Sequence, residues 1–427
     1  MIKLAVRYLR QSLASPTGFL LITTGSGYAF AYLYLVVMGR VLGPEAFGIL
    51  GALFAIFYIA CLVGQALREA IATNVAEVRA RAGEVAAVGT YIKLGIRLGL
   101  LCLLPSLAFI LAARPVAAFF HLSSSLPVIV LAFSLFTALA LDVVLGFQQG
   151  FQRFRDLGLT GYLTSQGLKL LFGVAFVLVG WDLTGAVGAL LASTTVATLL
   201  GLALVRKQVL KGVRSTESYH PRLGPILLPT LILALFLSMP ASVDVMLVTH
   251  FFGGKEAGLY NSVATVGKVV IFLPMAVSFI LLPRVTESHA LGGDTRNTLL
   301  QSLGIAFALS GTVTLISWGF PDLIVRLFFG RAYLEAVYLV SWYATAMLLF
   351  SLNVVLVHYS LAIRDFRLLL LADLVTLAEV VAISLFHQSL SQVVWILFWG
   401  NFSVLVVGFP YLALRRPKHQ LQSRGIG

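Results

Sequence analysis

The chain has 427 residues, 59% of them apolar and only 11% charged, with a mean hydropathy of +0.97. A soluble domain normally carries about 25% charged residues, and no compact fold buries so much apolar side chain in water. The class is therefore an all-α integral membrane protein, and the +13 formal charge reads as membrane anchoring rather than nucleic-acid binding.

A helix needs roughly 20 apolar residues to cross the hydrocarbon layer. On that ruler twelve spans are predicted, near 17–38, 45–65, 88–112, 125–147, 158–180, 184–205, 224–248, 258–282, 298–319, 337–361, 367–386 and 390–413. Lys3, Arg7 and Arg10 precede a long apolar run with no A-x-A-like cleavage site, which reads as a retained first helix. Residues 66–87 have helical spacing with mixed charge and either extend the second span or lie along the interface. The segment "GWDLTG" joins the fifth and sixth spans closely. The most basic internal connection, residues 206–223, falls between the sixth and seventh spans. The expected organisation is a six-helix bundle at 1–205, a cytoplasmic linker at 206–223, a second six-helix bundle at 224–413 and a basic cytoplasmic tail at 414–427.

Charge placement agrees with this count. With an even number of spans, 21 of the 30 basic residues fall on the side of the termini and five on the other, Arg40, Arg114, Lys255, Arg326 and Arg331. The positive-inside rule then places both termini in the cytoplasm of a multi-pass cell-membrane protein.

The two halves echo each other weakly. At a shift of 210 residues "GRVLGPEAFGIL" meets "THFFGGKEAGLY", with Gly43 on Gly253 and Gly48 on Gly258. At a shift of 211 "FQRFRDLGL" meets "LAIRDFRLL", with Arg153 on Arg364. Six spans return a chain to its starting side, so the repeats would be parallel and the cleft between them the default pathway.

Ionisable residues inside spans are costly and usually face a cavity or a partner. Arg97, Asp142, Lys169, Asp244, Lys268, Asp373 and Glu379 are of this kind, while Lys93 and Asp142 lie near a cytoplasmic boundary and can stay wet. Arg97, Lys169 and Lys268 would suit an anionic phosphate or pyrophosphate. Asp244 and Glu379 would balance that charge or carry a coupling proton. Pro240 and Pro274 interrupt backbone hydrogen bonding in the seventh and eighth spans and are candidate gating kinks. No G-x-x-x-x-G-K-[ST] loop, nucleophile triad or metal signature occurs, and Cys61 and Cys102 lack companion ligands. The reading is of a protein that is not an enzyme and holds no cofactor. Short external connections also argue against a polymerase or ligase of surface sugars.

"GRVLGPEAFGIL", "LVGQALREAIATNVAEVRARAGEV" and "GGKEAGLYNSVATV" resemble the oligosaccharide and polysaccharide flippase family. That family belongs to the multidrug, oligosaccharidyl-lipid and polysaccharide exporter superfamily. The resemblance covers nearly the whole chain and implies two six-helix bundles around a cavity that opens alternately to either side. It implies flipping of a lipid-linked oligosaccharide, usually on a polyprenyl pyrophosphate, for surface polysaccharide biosynthesis. Proton or sodium coupling, membrane lipids, and glycan-polymerising and glycosyltransferase partners are expected, with no nucleic acid. In relatives basic cavity residues meet the pyrophosphate; Arg97, Lys169 and Lys268 are the nearest candidates, unmatched to a family motif. The alternatives are a multidrug or organic-cation exporter of the same superfamily and a non-transporting scaffold for glycan assembly.

Overall fold

The computed structural model describes residues 15–212, 224–239, 242–290 and 295–414 of the protein. Among these the chain is helical almost throughout. It is a polytopic membrane protein in which seven helical runs are long and apolar enough to cross a bilayer. The count is eight if Thr230–Ser238 and Val243–Phe251, bent by 50°, form one broken span. The contacts divide it into two compact units, Met1–Ala234 and Leu235–Gly427.

The first unit opens with α1, Pro16–Leu101. Ser15 caps it by accepting a hydrogen bond from the Gly18 N–H at 3.0 Å, and Pro16 stands where its missing N–H costs nothing. Gly43 (φ 74°, ψ 173°) and Gly83 (φ 86°, ψ 176°) are not helical and divide α1 at two corners. This conformation is essentially restricted to glycine, and Pro44 restarts the helix immediately after the first corner. Residues 66–82 are helical up to the second corner, so they continue the preceding segment.

The unit continues through α2 (Leu103–Leu111), α3 (Ala113–Phe119), α4 (Leu126–Gly150) and the short α5 (Phe154–Leu157). A π-helical turn, Gly158–Thr164, leads into α6 (Ser165–Phe176). A second π turn, Val177–Trp181, ends at Asp182 (φ 40°), from which α7 (Asp182–Gly212) reverses direction. The close "GWDLTG" joint is thus a turn made from Gly180 (φ 92°) and Asp182. The expected linker begins inside α7, and residues 213–223 lie outside the described residues.

Helix α4 is the centre of this unit and packs against α1 and α7. Gly146 and Gly150 form a small-xxx-small pair on it. A Cβ at Gly146 would lie 2.9 Å from the Arg68 carbonyl, and one at Gly150 would lie 2.8 Å from that of Ala72. Lipid offers no hydrophobic reason for helices to associate, so this close backbone approach contributes through dispersion. Ile71, Val75, Tyr91 and Phe147 fill the adjoining core.

The second unit takes in the end of α8 (Gly224–Ser238), then α9 (Val243–Phe251) and α10 (Gly254–Ala290). Next come α11 (Arg296–Gly319), α12 (Pro321–Phe328), and a 3₁₀ turn (Arg331–Ala336). It closes with α13 (Val337–Ala362), α14 (Arg367–Leu385) and α15 (Leu390–Leu414). Here α13 is central, against α10, α11 and α15. Polar ties cross its faces: Ser351 Oγ donates to Ser310 Oγ at 3.1 Å, and Asn353 Nδ2 to the Asn401 carbonyl at 2.9 Å. Pro240 lies outside the described residues; Pro274 falls within the run of α10.

Local backbone geometry repeats between the units. Gly43 (φ 74°) and Gly253 (φ 66°), paired by the sequence echo, both have positive φ. The second echo is corrected by one residue. Helix α4 ends with the Gln152 N–H on the Gln149 carbonyl at 2.9 Å and the Arg153 N–H on that of Gln148 at 2.8 Å. Helix α13 ends with Arg364 on Leu361 at 2.9 Å and Asp365 on Ser360 at 2.8 Å. Gln152 and Arg364 each have φ 57°. Both ends are Schellman-type caps. The structural register therefore sets Gln152 on Arg364, and Arg153 on Asp365. Chemical similarity aligned the two arginines, whereas the backbone repeats the cap.

Candidate functional site

The densest buried polar group lies in the second unit. Asp244 opens α9 and is buried, and its Oδ2 accepts hydrogen bonds from Tyr260 Oη on α10 at 3.0 Å and Tyr343 Oη on α13 at 2.7 Å. The two phenol rings meet edge to face, with centroids 5.7 Å apart at 89°. Asp244 Oδ1 has no hydrogen-bond partner. Lys268, two helical turns beyond Tyr260 on α10, is partly buried and attracts Asp244 electrostatically without forming an ion pair. Glu379 on α14 is buried within electrostatic reach of Asp244. Three of the sequence-predicted residues, Asp244, Lys268 and Glu379, are thus brought together. A cluster holding two carboxylates and one ammonium can exchange a cation or proton while keeping its hydroxyl donors in place.

In the first unit Lys169 on α6 is only 3% exposed. Its Nζ stands 5.3 Å from the Tyr34 ring centroid, a cation–π distance. Tyr34 is fixed by donating its hydroxyl to the Ala186 carbonyl at 2.7 Å and by stacking on Phe54 at 5.7 Å. No ion pair reaches Lys169 among the described residues. The π turn at Gly158–Thr164 directly precedes α6, and such turns recur at functional sites. Arg97, the third basic residue expected here, is exposed, as is Lys93. Asp373 is partly buried with its Oδ2 unpartnered.

A further cluster in the first unit was not anticipated. Arg68 Nε donates to Gln149 Oε1 at 3.1 Å, and Gln149 Nε2 donates to both Glu69 oxygens at 3.3 and 3.1 Å. Asp142 and Tyr162 stand within electrostatic reach of Arg68. The carboxylate of Asp142 fills the space left by Gly64, where a Cβ would lie 2.5 Å from Oδ2. Asp142 therefore has protein partners where the sequence placed it at a wet boundary. The signal was spacing: Gly64 and Arg68 share one face of α1, and Asp142 and Gln149 one face of α4.

Among the described residues no three His, Cys, Asp or Glu side chains gather as a metal site, and Cys61 and Cys102 are buried free thiols.

Residues 13–289 match the model of a family described as "Polysaccharide biosynthesis protein". The chain belongs to that family. No curated protein matches the sequence. Solved structures share its fold. An inward-facing multidrug-resistance MATE transporter of the MOP superfamily superposes with a TM-score of 0.77 at 17% identity, covering 89% of this chain and 93% of that one. The lipid II flippase MurJ in an inward closed conformation gives 0.68 at 12% identity, covering 91% and 87%. A MOP transporter from Pyrococcus furiosus, whose binding pocket is described as reversed in polarity, gives 0.58 at 16% identity, covering 94% and 96%. The chain is thus a family member with the fold of these transporters.

Proposed function

We propose that the protein is an alternating-access flippase that moves a polyprenyl-phosphate- or pyrophosphate-linked oligosaccharide to the outer leaflet for surface polysaccharide biosynthesis. The observation that carries this reading is Lys169, a buried ammonium with an aromatic partner and no ion pair among the described residues. A buried, unpaired charge is expensive unless a ligand completes it, and a phosphate oxygen does so through a charge-assisted bond. Lys268 supplies the second ammonium, and Arg97 a peripheral one. Asp244 and Glu379 then serve proton or sodium coupling, since the sequence carries no nucleotide-binding loop.

In this reading twelve spans form bundles at 1–205 and 224–413, joined by the linker 206–223 and followed by the tail 414–427. The corners at Gly43 and Gly83 and the joint at Asp182 support that count by dividing the longest helical runs, while Thr230–Ser238 and Val243–Phe251 count together as one broken span. Both termini are cytoplasmic. All five tryptophans, Trp181, Trp318, Trp342, Trp395 and Trp399, fall toward the helix ends opposite the basic connections, as expected of an external aromatic belt. Pro240 and Pro274 remain the proposed kinks. Glycan-polymerising and glycosyltransferase proteins are the proposed partners.

Organic-cation export is the second reading, favoured by the carboxylates of Asp244 and Glu379. Deleting the gene separates the two. A glycan flippase leaves lipid-linked oligosaccharide accumulated on the cytoplasmic leaflet, restored by the intact gene but not by Lys169→Met. An exporter instead leaves cells sensitised to lipophilic cations with normal glycan intermediates, which would refute the flippase reading.

A further inference from the structure

A cavity of about 440 Å³ opens on the side of the second unit, between α14 and α15. Its walls are mostly apolar: Val375 and Ala382 on α14 face Ile396 on α15. Trp395 and Trp399 supply aromatic faces, and Trp399 is 58% exposed. The neighbouring surface carries exposed Leu374, Leu377, Phe402 and Val406, an apolar face that in a membrane protein meets lipid. Glu379 lines this cavity, with its carboxylate against Gly400. It is 94% buried, since only 6% of the residue is exposed, and no described group donates a hydrogen bond to it.

The space around that carboxylate is built by the sequence. Gly400 faces it across the α14–α15 contact, and a Cβ there would overlap the Glu379 carboxylate. Trp395 is held in place by Trp342 of α13, with centroids 4.4 Å apart, and Trp342 in turn contacts Trp318 at 5.2 Å. A rigid aromatic wall therefore stands beside an acid that has no donor of its own. A carboxylate left this way in hydrocarbon calls for a cation or a donor. Aromatic faces attract cations most strongly where water is excluded. The lining also holds Gln392, whose Oε1 accepts from the Gln388 N–H, and Ser403, whose Oγ donates to the Gly400 carbonyl; its remaining residues are apolar.

We propose that this cavity is a lateral binding site for an amphiphilic ammonium ion, whose head group sits between Glu379, Trp395 and Trp399 while its alkyl chain lies along the groove between α14 and α15. The site is reached from the membrane and is separate in chemistry from the anionic cargo proposed above, so it does not depend on that reading. An occupant would hold Glu379 in an ion pair and remove it from any coupling role.

The test uses the full chain in phosphatidylglycerol nanodiscs, which contain no ammonium head group. Radiolabelled dodecyltrimethylammonium is titrated, and dodecanol serves as the uncharged competitor. The wild type should bind saturably, with dodecanol a poor competitor. Glu379→Gln and Trp399→Leu should each weaken binding about tenfold or more, the size expected for losing a desolvated ion pair or cation–π contact. Trp399→Phe should retain most of the affinity, which controls for folding of the Leu variant. Unsaturable binding to the wild type would overturn the proposal. So would equal affinity in Glu379→Gln, or full competition by dodecanol, since either would make the groove a site for neutral chains.

Discussion

Replacing Tyr343 by Phe removes one of two hydroxyl donors from Asp244 and changes nothing else in size. The lost bond is the shorter of the pair, 2.7 Å against 3.0 Å for Tyr260. Asp244 Oδ1 already lacks a hydrogen-bond partner, so the carboxylate is left with Tyr260 as its single side-chain hydroxyl donor. A hydrogen bond to a charged group contributes about 1.5–3 kcal/mol, and that is the expected loss of stability. Tyr260→Phe should cost a similar amount. Because both hydroxyls meet the same oxygen, the double variant should be non-additive by about 0.5–3 kcal/mol. Asp244→Asn makes a useful contrast, since its amide oxygen still accepts both hydroxyls while the charge is gone. It should unfold within about 1 kcal/mol of the wild type, the range of a neutral hydrogen bond, yet lose gradient-driven transport. The assay is denaturant titration in mixed micelles, run beside transport in vesicles with an imposed proton or sodium gradient. If Tyr343→Phe unfolds like the wild type while Asp244→Asn is the less stable, the hydroxyl pair does not hold this carboxylate and the reasoning fails.

Lys169→Met should reduce translocation and at the same time raise the thermal unfolding temperature, because it replaces a buried, unpaired charge by an apolar chain of similar length. Lys93→Met, at an exposed position, should leave both unchanged, and unfolding scans with a flipping assay on matched protein amounts check the pair. Gly43→Ala places a Cβ on a backbone at φ 74°, ψ 173° and should destabilise the protein by about 1–3 kcal/mol, measured by denaturant titration. Gly64→Ala drives a methyl into the Asp142 carboxylate and Leu139, at 2.5 and 2.7 Å, and should cost about 1–3 kcal/mol by the same titration. An unaltered midpoint for Gly64→Ala would mean that Asp142 swings away freely.

Helix positions were legible because hydropathy and charge are additive along the chain. The corner at Gly43 was marked by Gly-Pro chemistry, and its counterpart at Gly253 by an echo of the same residues. The second echo misled by one residue because a Schellman cap is defined by backbone conformation, which Gln152 and Arg364 share without sharing side-chain chemistry. Within the site, the burial of Lys169 and Glu379 followed from their distance to the span ends, whereas Asp244 lies four residues from the end of its predicted span and is buried by the packing of Tyr260 and Tyr343. Arg97 lies at similar depth but points outward, and single-residue depth carries no information about which face a helix buries. Tyr260 and Tyr343 were invisible for another reason. A hydroxyl beside a ring counts as apolar in composition, and only packing brings three helices' side chains onto one oxygen. The Arg68–Gln149–Glu69 cluster joins residues about 80 apart: spacing marks the face of each helix, but it does not say which two faces meet.

Purified protein in sealed liposomes, loaded with a polyprenyl-pyrophosphate-linked oligosaccharide carrying a terminal sugar that an external enzyme can label, addresses the flippase reading directly. Labelling should rise beyond the half accessible in protein-free vesicles, and Lys169→Met should slow that rise. Labelling that stays at the protein-free level, under either a proton or a sodium gradient, would contradict the assignment.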